Sequence, residues 1–184
     1  TGVLSVTRIP TPLLPALRAL REEGIRFRLK FIGNTCPELQ QLIEENGLTA
    51  DTEYISYLPH AESIRHINSS DALLLVIDNV PNNKGILTGK LFEYIGAQRP
   101  ILAVGNPEGE ARHIIDECQC GEMIGYNDTE GAKNILRKLH AAWQTQTPAY
   151  PFTNSSRYSR EATTGDLARF MDHVLSLHAK KTTL

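Results

Sequence analysis

The chain has 184 residues, 41% of them hydrophobic and 22% charged, with a formal net charge of -2. That length suits one domain with a buried core, or one domain with an appendage, and the near-neutral balance argues against a nucleic-acid surface. Apolar runs such as Ala72 to Ile77 fall far short of a membrane span and no signal peptide opens the chain, so a cytoplasmic protein is expected.

In chain order, residues 1 to 10 read as a loop carrying Arg8. Thr11-Pro12 reads as a helix start, with Leu13, Leu14, Leu17 and Leu20 forming an apolar face up to Gly24. A strand is expected over 25–32, where Phe27, Leu29 and Phe31 alternate with basic residues, ending in Gly33-Asn34. Thr35 and Glu38 have the spacing of a capping box for a helix that Gly47 stops. A short strand over 52–58 and a helix opening at Pro59-His60 follow. The strand 72–77 is apolar throughout, as a strand covered on both faces should be. Beyond a loop and a further helix comes a strand at 101–104. Asn106-Pro107 then reads as the cap of a helix ended by Gly121, and 123–126 as a last strand. Asp128 caps a long helix bearing Ala132, Ile135, Leu136, Leu139 and Trp143. The aperiodic stretch 144–159 reads as a connection to an amphipathic helix over 160–178.

Strands and helices alternate without a hairpin signal, which predicts a parallel sheet with right-handed crossovers. The expected fold is therefore α/β, a Rossmann-like doubly wound parallel sheet with a C-terminal helix crossing back. Residues 1–145 would form the Rossmann-like domain, its first strand truncated. Residues 146–184 would form a connecting loop and a helix packing on that domain or on an N-terminal domain outside this sequence. Thr1-Gly2 resemble the residues that follow a strand, and no initiator methionine is present, so a longer parent chain is expected. Ligands of such sheets bind beyond the carboxyl ends of the strands.

The organising stretch is Gly85 to Pro100, followed by the buried strand Ile101 to Val104. Glycines and Thr88 let backbone N–H groups approach a ligand, and a helix starting there aims its positive end at the same place, as phosphate-binding helices do. Lys90 adds a full charge in the first turn. Glu93, one turn on, is an acceptor able to reach a sugar hydroxyl; the alternative is a solvated helix glutamate.

The run Gly89-Lys90-Leu91-Phe92-Glu93-Tyr94 with Arg99-Pro100-Ile101-Leu102 resembles the signature of the C-terminal, donor-binding domain of GT-B glycosyltransferases, in particular the large retaining group 1 (family 4) enzymes. The resemblance implies that Glu93 binds the ribose of a nucleoside diphosphate sugar. The first of that family's two signature glutamates would fall at Gly85, where this sequence departs, so the hexose stays open. By the same resemblance Arg8, Gly33, Thr88, Gly89, Lys90 and His60 are donor-site candidates: Arg8 for the diphosphate, Lys90 for phosphate, Gly33 for close approach, His60 for the base. Each has a plainer reading, for Gly33 a strand-end turn and for His60 a helix-start residue.

No Ser-His-Asp order, useful carboxylate pair or Asp-x-Asp motif is present, so a metal-independent site with no cofactor is expected. Cys36, Cys118 and Cys120 suit a reducing compartment, and Cys118-Gln119-Cys120 lacks the partners of a zinc site. The function expected is transfer of a hexosyl unit from a nucleoside diphosphate sugar to a glycan or lipid-linked acceptor, the latter held by the other domain, with catalytic residues mainly there. Peripheral membrane association of the full enzyme and self-association of this chain are left open. The rivals are half of a nucleotide-sugar 2-epimerase and a non-catalytic doubly wound ligand- or protein-binding module.

Overall fold

The structure, a computed structural model, describes residues 1–181. The chain divides into two compact units, Thr1–Thr153 and Asn154–Leu184. In chain order the first unit contains α1 (Leu13–Glu22), β1 (Leu29–Ile32), α2 (Pro37–Glu45), β2 (Thr52–Ile55), α3 (His60–Asn68), β3 (Leu73–Val76), α4 (Gly89–Ala97), β4 (Ile101–Val104), α5 (Glu110–Cys118), β5 (Gly121–Ile124) and α6 (Thr129–Thr145).

Every ladder is parallel. β1 pairs with β2, and β3, β4 and β5 pair in that order. The two ladders are not joined strand to strand among the described residues. Beside them runs the stretch 2–7: Gly2 N donates to Ile32 O at 2.7 Å, Leu4 N to Asn34 O at 2.9 Å, and Asn79 N to Thr7 O at 2.8 Å. The expected loop 1–10 is thus partly a parallel extension, with a bridge between Leu4 and Thr35 and a 3-10 turn at Val6–Arg8.

Side-chain alternation along the strands splits the interior into two layers. Phe31, Val76, Leu102, Val104 and Ile124 share one core with Leu13, Leu14 and Leu17 of α1, Leu39 and Ile43 of α2 and Ile135 of α6. The intervening strand residues Leu73, Leu75, Ile101, Ala103 and Met123 are also buried, as are Leu91 and Ile95 of α4 and Ile114 and Ile115 of α5. A sheet buried on both faces reads as continuous apolar runs, which is why β3 and β4 show no polar alternation. The architecture is Rossmann-like and doubly wound.

Several boundaries differ from the sequence expectation for reasons of pairing. β1 begins at Leu29 rather than residue 25 because its partner begins at Thr52, opposite Leu29, straight after a 3-10 turn. β5 occupies 121–124 instead of 123–126: Gly121 pairs with Ile101, and α5 is ended by Gln119 in the left-handed region, not by Gly121. Thr35 forms no capping box, since it bridges to Leu4 and the cap position falls on Cys36 with Pro37 next. Asn106 likewise does not cap α5, whose cap is Gly109; its Oδ1 instead accepts from Glu108 N at 3.0 Å. Asp128 does cap α6, accepting from Gly131 N at 2.8 Å.

Beyond α6 the chain stays on the first unit through Tyr150, which is buried and donates to Glu122 Oε1 at 2.8 Å. The second unit is a 3-10 turn, Ser155–Tyr158, followed by α7 (Arg160–Lys181). Leu167, Phe170, Met171 and Leu175 of α7, spaced to share one helix face, are exposed.

Candidate functional site

Because the strands are parallel, the segments following β1, β2 and β3 all emerge at one edge of the fold. The segment after β1 starts with Gly33, whose φ is +107°. A β-carbon there would overlap the Gly2 carbonyl oxygen, so the close approach that requires glycine is that of the chain's own backbone. Gly2 in turn lies against Lys90, a β-carbon on it standing 3.5 Å from Cε.

α4 begins here. Thr88 occupies the cap position in extended conformation without a side-chain cap bond, and its Oγ1 is buried without a hydrogen-bond partner among the described residues. Gly89 opens the first turn with no atom near its missing β-carbon, leaving the helix end open to approach. Lys90 Nζ donates to Glu93 Oε2 at 3.0 Å, with the two side chains 33% and 30% exposed. The inward face of the same helix is anchored by Leu91, Tyr94 and Ile95, which are buried. Burial raises the Tyr94 phenol above its ordinary value, so it stays a neutral structural group. Amphipathic spacing thus sends the apolar residues inward and leaves Lys90 and Glu93 at the rim.

Arg8 is placed differently from a free phosphate ligand. Its Nε and Nη2 both bind Asp78 Oδ2, at 2.8 and 2.6 Å, and Thr7 Oγ1 donates to the other carboxylate oxygen at 2.7 Å. The Arg8 hydrogen bond, with Thr7 assisting against a smaller desolvation effect, holds the Asp78 carboxyl below its usual range. The Asp78 carbonyl accepts from Tyr126 Oη at 3.0 Å and from Asn83 Nδ2 at 3.1 Å, so the start of the 78–88 loop is held on two sides.

Gly33, Thr88, Gly89, Lys90 and Glu93 are therefore gathered around the start of α4 and the 1–2 backbone. Arg8 is tied to the base of the loop that leads there. His60 is exposed at the first turn of α3, on the same strand-end side, without a hydrogen bond or ion pair to the others among the described residues. The sequence gives no local sign of the Arg8–Asp78 pair, whose partners are 70 residues apart, nor of the Asn83–Tyr126 hydrogen bond.

No protein-family model and no curated protein matches the sequence. Solved structures do match. Sucrose-phosphate synthase from Thermosynechococcus elongatus aligns with a TM-score of 0.65 at 14% identity, over 96% of this chain and 46% of that one. HepE of Anabaena, solved in complex with UDP-glucose, gives 0.65 at 16% identity, over 95% of this chain and 48% of that one. The C-terminal domain of a group 1 glycosyltransferase, LpcC, from Francisella tularensis gives 0.61 at 14% identity, over 86% and 80%. The fold is thus, first, a Rossmann-like doubly wound domain. More narrowly, it is the fold of the C-terminal domain of GT-B group 1 glycosyltransferases. The chain spans about half the length of the first two proteins.

Proposed function

We propose that the chain is the donor-binding domain of a glycosyltransferase that moves a hexosyl unit from a nucleoside diphosphate sugar to a glycan or lipid-linked acceptor. The observation that carries this reading is the Lys90–Glu93 pair at the open start of α4, beside the Gly2 and Gly33 backbones. A cation in the first turn of a helix opposes the macrodipole unless an anion joins it. In this reading the diphosphate takes that position, held by the N–H groups of Gly89 and Lys90 and by the Lys90 ammonium, while the Thr88 hydroxyl supplies a donor. Glu93, released from Lys90 as the ammonium turns to phosphate, accepts hydrogen bonds from ribose hydroxyls. Arg8 reaches the diphosphate only by exchanging Asp78 for it. His60 and the end of β2 lie toward the base.

The chemistry of the leaving group follows. Cleavage of the sugar–phosphate bond leaves negative charge on the nucleoside diphosphate, and a helix N-terminus with one or two fixed cations stabilises it without a metal. The acceptor and the remaining catalytic groups belong to another domain. The fold shared with HepE, which was solved with UDP-glucose, supports a nucleotide sugar as ligand.

Calorimetric titration with UDP, ADP and GDP tests the reading. Binding of at least one, weakened by substitution of Lys90 or Glu93, is expected. No binding by any of them would leave a non-catalytic doubly wound module.

A further inference from the structure

The stretch 2–7 lies between β1 and the segment that leaves β3: Gly2 N and Leu4 N donate toward β1 and its exit, while Asn79 N donates to Thr7 O. From these two central segments the chain turns opposite ways. α1 joins the core shared with α2 and α6, whereas Leu91 and Ile95 of α4 are buried outside it. Adjacent strands whose helices depart to opposite faces leave a crevice between their carboxyl ends, where ligands of open α/β sheets enter. The Arg8–Asp78 pair spans that crevice.

Its two halves are held unequally. Thr7 Oγ1, itself 3.0 Å from Ser5 Oγ, donates to Asp78 Oδ1, and the Asp78 carbonyl accepts from Asn83, Tyr126 and Val80 N. Arg8 carries its guanidinium on a long, more exposed side chain, so rupture of the pair moves the arginine and leaves the carboxylate in place. The hydrogen bond from Arg8, aided by Thr7, keeps the Asp78 carboxyl ionised well below neutrality, so the pair is closed in the unliganded chain. Lys90 is paired too, but by one bond to a residue of its own helix, whereas two charged bonds from Arg8 converge on one Asp78 oxygen.

A single phosphate at the start of α4 needs only the N–H groups and Lys90. A second phosphate that draws Arg8 across has to break both bonds to Asp78, and the fixed carboxylate remains to take the arginine back. We propose that Asp78 is an internal competitor for Arg8, an autoinhibitory latch that opens for a diphosphate but not for a lone phosphate and, by reclosing, hastens departure of the nucleoside diphosphate left after transfer. The latch rests on the proposed diphosphate site at α4 and adds its regulation.

Calorimetry of the whole chain with inorganic phosphate, inorganic pyrophosphate and UDP tests it, because pyrophosphate reports the latch whatever the base. Asp78→Asn is expected to bind pyrophosphate and UDP about 5- to 10-fold more tightly, with phosphate affinity unchanged. In the Arg8→Gln background the gain should disappear. Structural damage would weaken binding instead, and simple relief of charge repulsion would strengthen phosphate as well and survive the loss of Arg8. A second readout needs no variant at Asp78: the Arg8 Nε–H resonance of the wild-type chain in ¹H–¹⁵N NMR should shift with excess pyrophosphate and stay in place with phosphate. Unchanged or weaker pyrophosphate affinity in Asp78→Asn, an equal gain for phosphate, a gain that persists without Arg8, or an Arg8 resonance that pyrophosphate leaves unmoved would overturn the latch. Failure of the donor reading is seen separately, as the full pyrophosphate response with UDP, ADP and GDP binding no more tightly than pyrophosphate.

Discussion

Two ion pairs decide how the residues of the candidate site behave. Glu93 is not solvated alone but paired with Lys90 three positions earlier, and such helix pairs contribute roughly 0.2–0.5 kcal/mol. Charged hydrogen bonds to a ligand contribute about 1.5–3 kcal/mol each. With Glu93 holding the ribose as proposed, ligand binding is the larger effect of the carboxylate, and Glu93→Gln is expected to weaken nucleoside diphosphate binding about 10- to 100-fold. The same variant should shift the melting temperature by only about 1–2 °C. A lower melting temperature with unchanged affinity would make Glu93 a structural residue. Asp78 has the opposite balance. It is 19% exposed, receives two bonds from Arg8 and one from Thr7, and its own carbonyl holds Tyr126 and Asn83. Asp78→Asn should cost about 1–2 kcal/mol of stability, the figure reduced because Arg8 is partly solvated. The pH dependence has a definite sign: a carboxyl held low by Arg8 contributes its stability above its unfolded value, near ~3.9, and loses it as pH falls through the folded value. The stability gap between wild type and Asp78→Asn, measured by urea unfolding, should hold from about pH 7 to 5 and close in more acidic solution.

At the scale of the elements, what was legible in the sequence is what local chemistry determines. Asp128 caps α6 because its carboxylate meets the Gly131 N–H within one turn, and β4 is apolar along its whole length because both its faces are covered. Strand ends were less legible, since the partner sets them: β1 cannot be longer than the stretch that β2 pairs with. Thr35 and Asn106 had the composition of caps and were taken instead by contacts with Leu4 and Asn83, distant in sequence. The candidate site divided the same way. Its helix start, Gly89 to Glu93, could be read locally, whereas the Arg8–Asp78 pair and the Asn83–Tyr126 hydrogen bond are tertiary. Gly121 shows how an element boundary becomes a measurable quantity. Placed in β5 opposite Ile101, it leaves no room for a β-carbon, which would overlap the Ile101 carbonyl oxygen. The obstacle is backbone, so it cannot turn aside as a side chain would. Gly121→Ala is expected to cost about 1–3 kcal/mol by thermal or urea unfolding, the usual range for overpacking. A helix-ending glycine with open space would tolerate alanine with a far smaller loss, so the measurement separates the two placements.

For the molecule as a whole, the net charge of -2 provides no long-range attraction for a nucleoside diphosphate. In the proposed site, affinity comes from a few positive groups set against this background: the first-turn N–H groups of α4, Lys90, and Arg8 once it leaves Asp78. A magnesium-bridged diphosphate would need carboxylates turned toward the phosphates. The candidate carboxylates are already engaged, Glu93 by Lys90 and Asp78 by Arg8 and Thr7, and the sequence has no Asp-x-Asp pair. Cationic stabilisation and metal bridging make different demands on solution conditions. With cations alone, added salt weakens binding by screening partly exposed charges, and a chelator has no effect. With a bridging metal, chelation abolishes binding. The expected outcome is that UDP affinity, measured by calorimetry, is unchanged within about 2-fold by excess EDTA and falls as salt is raised from about 0.05 to 0.5 M, where the screening length shortens severalfold. Affinity that appears only on adding Mg²⁺ or Mn²⁺ would show that the engaged carboxylates are released to a metal, and would give that ion the leaving-group role proposed for Lys90.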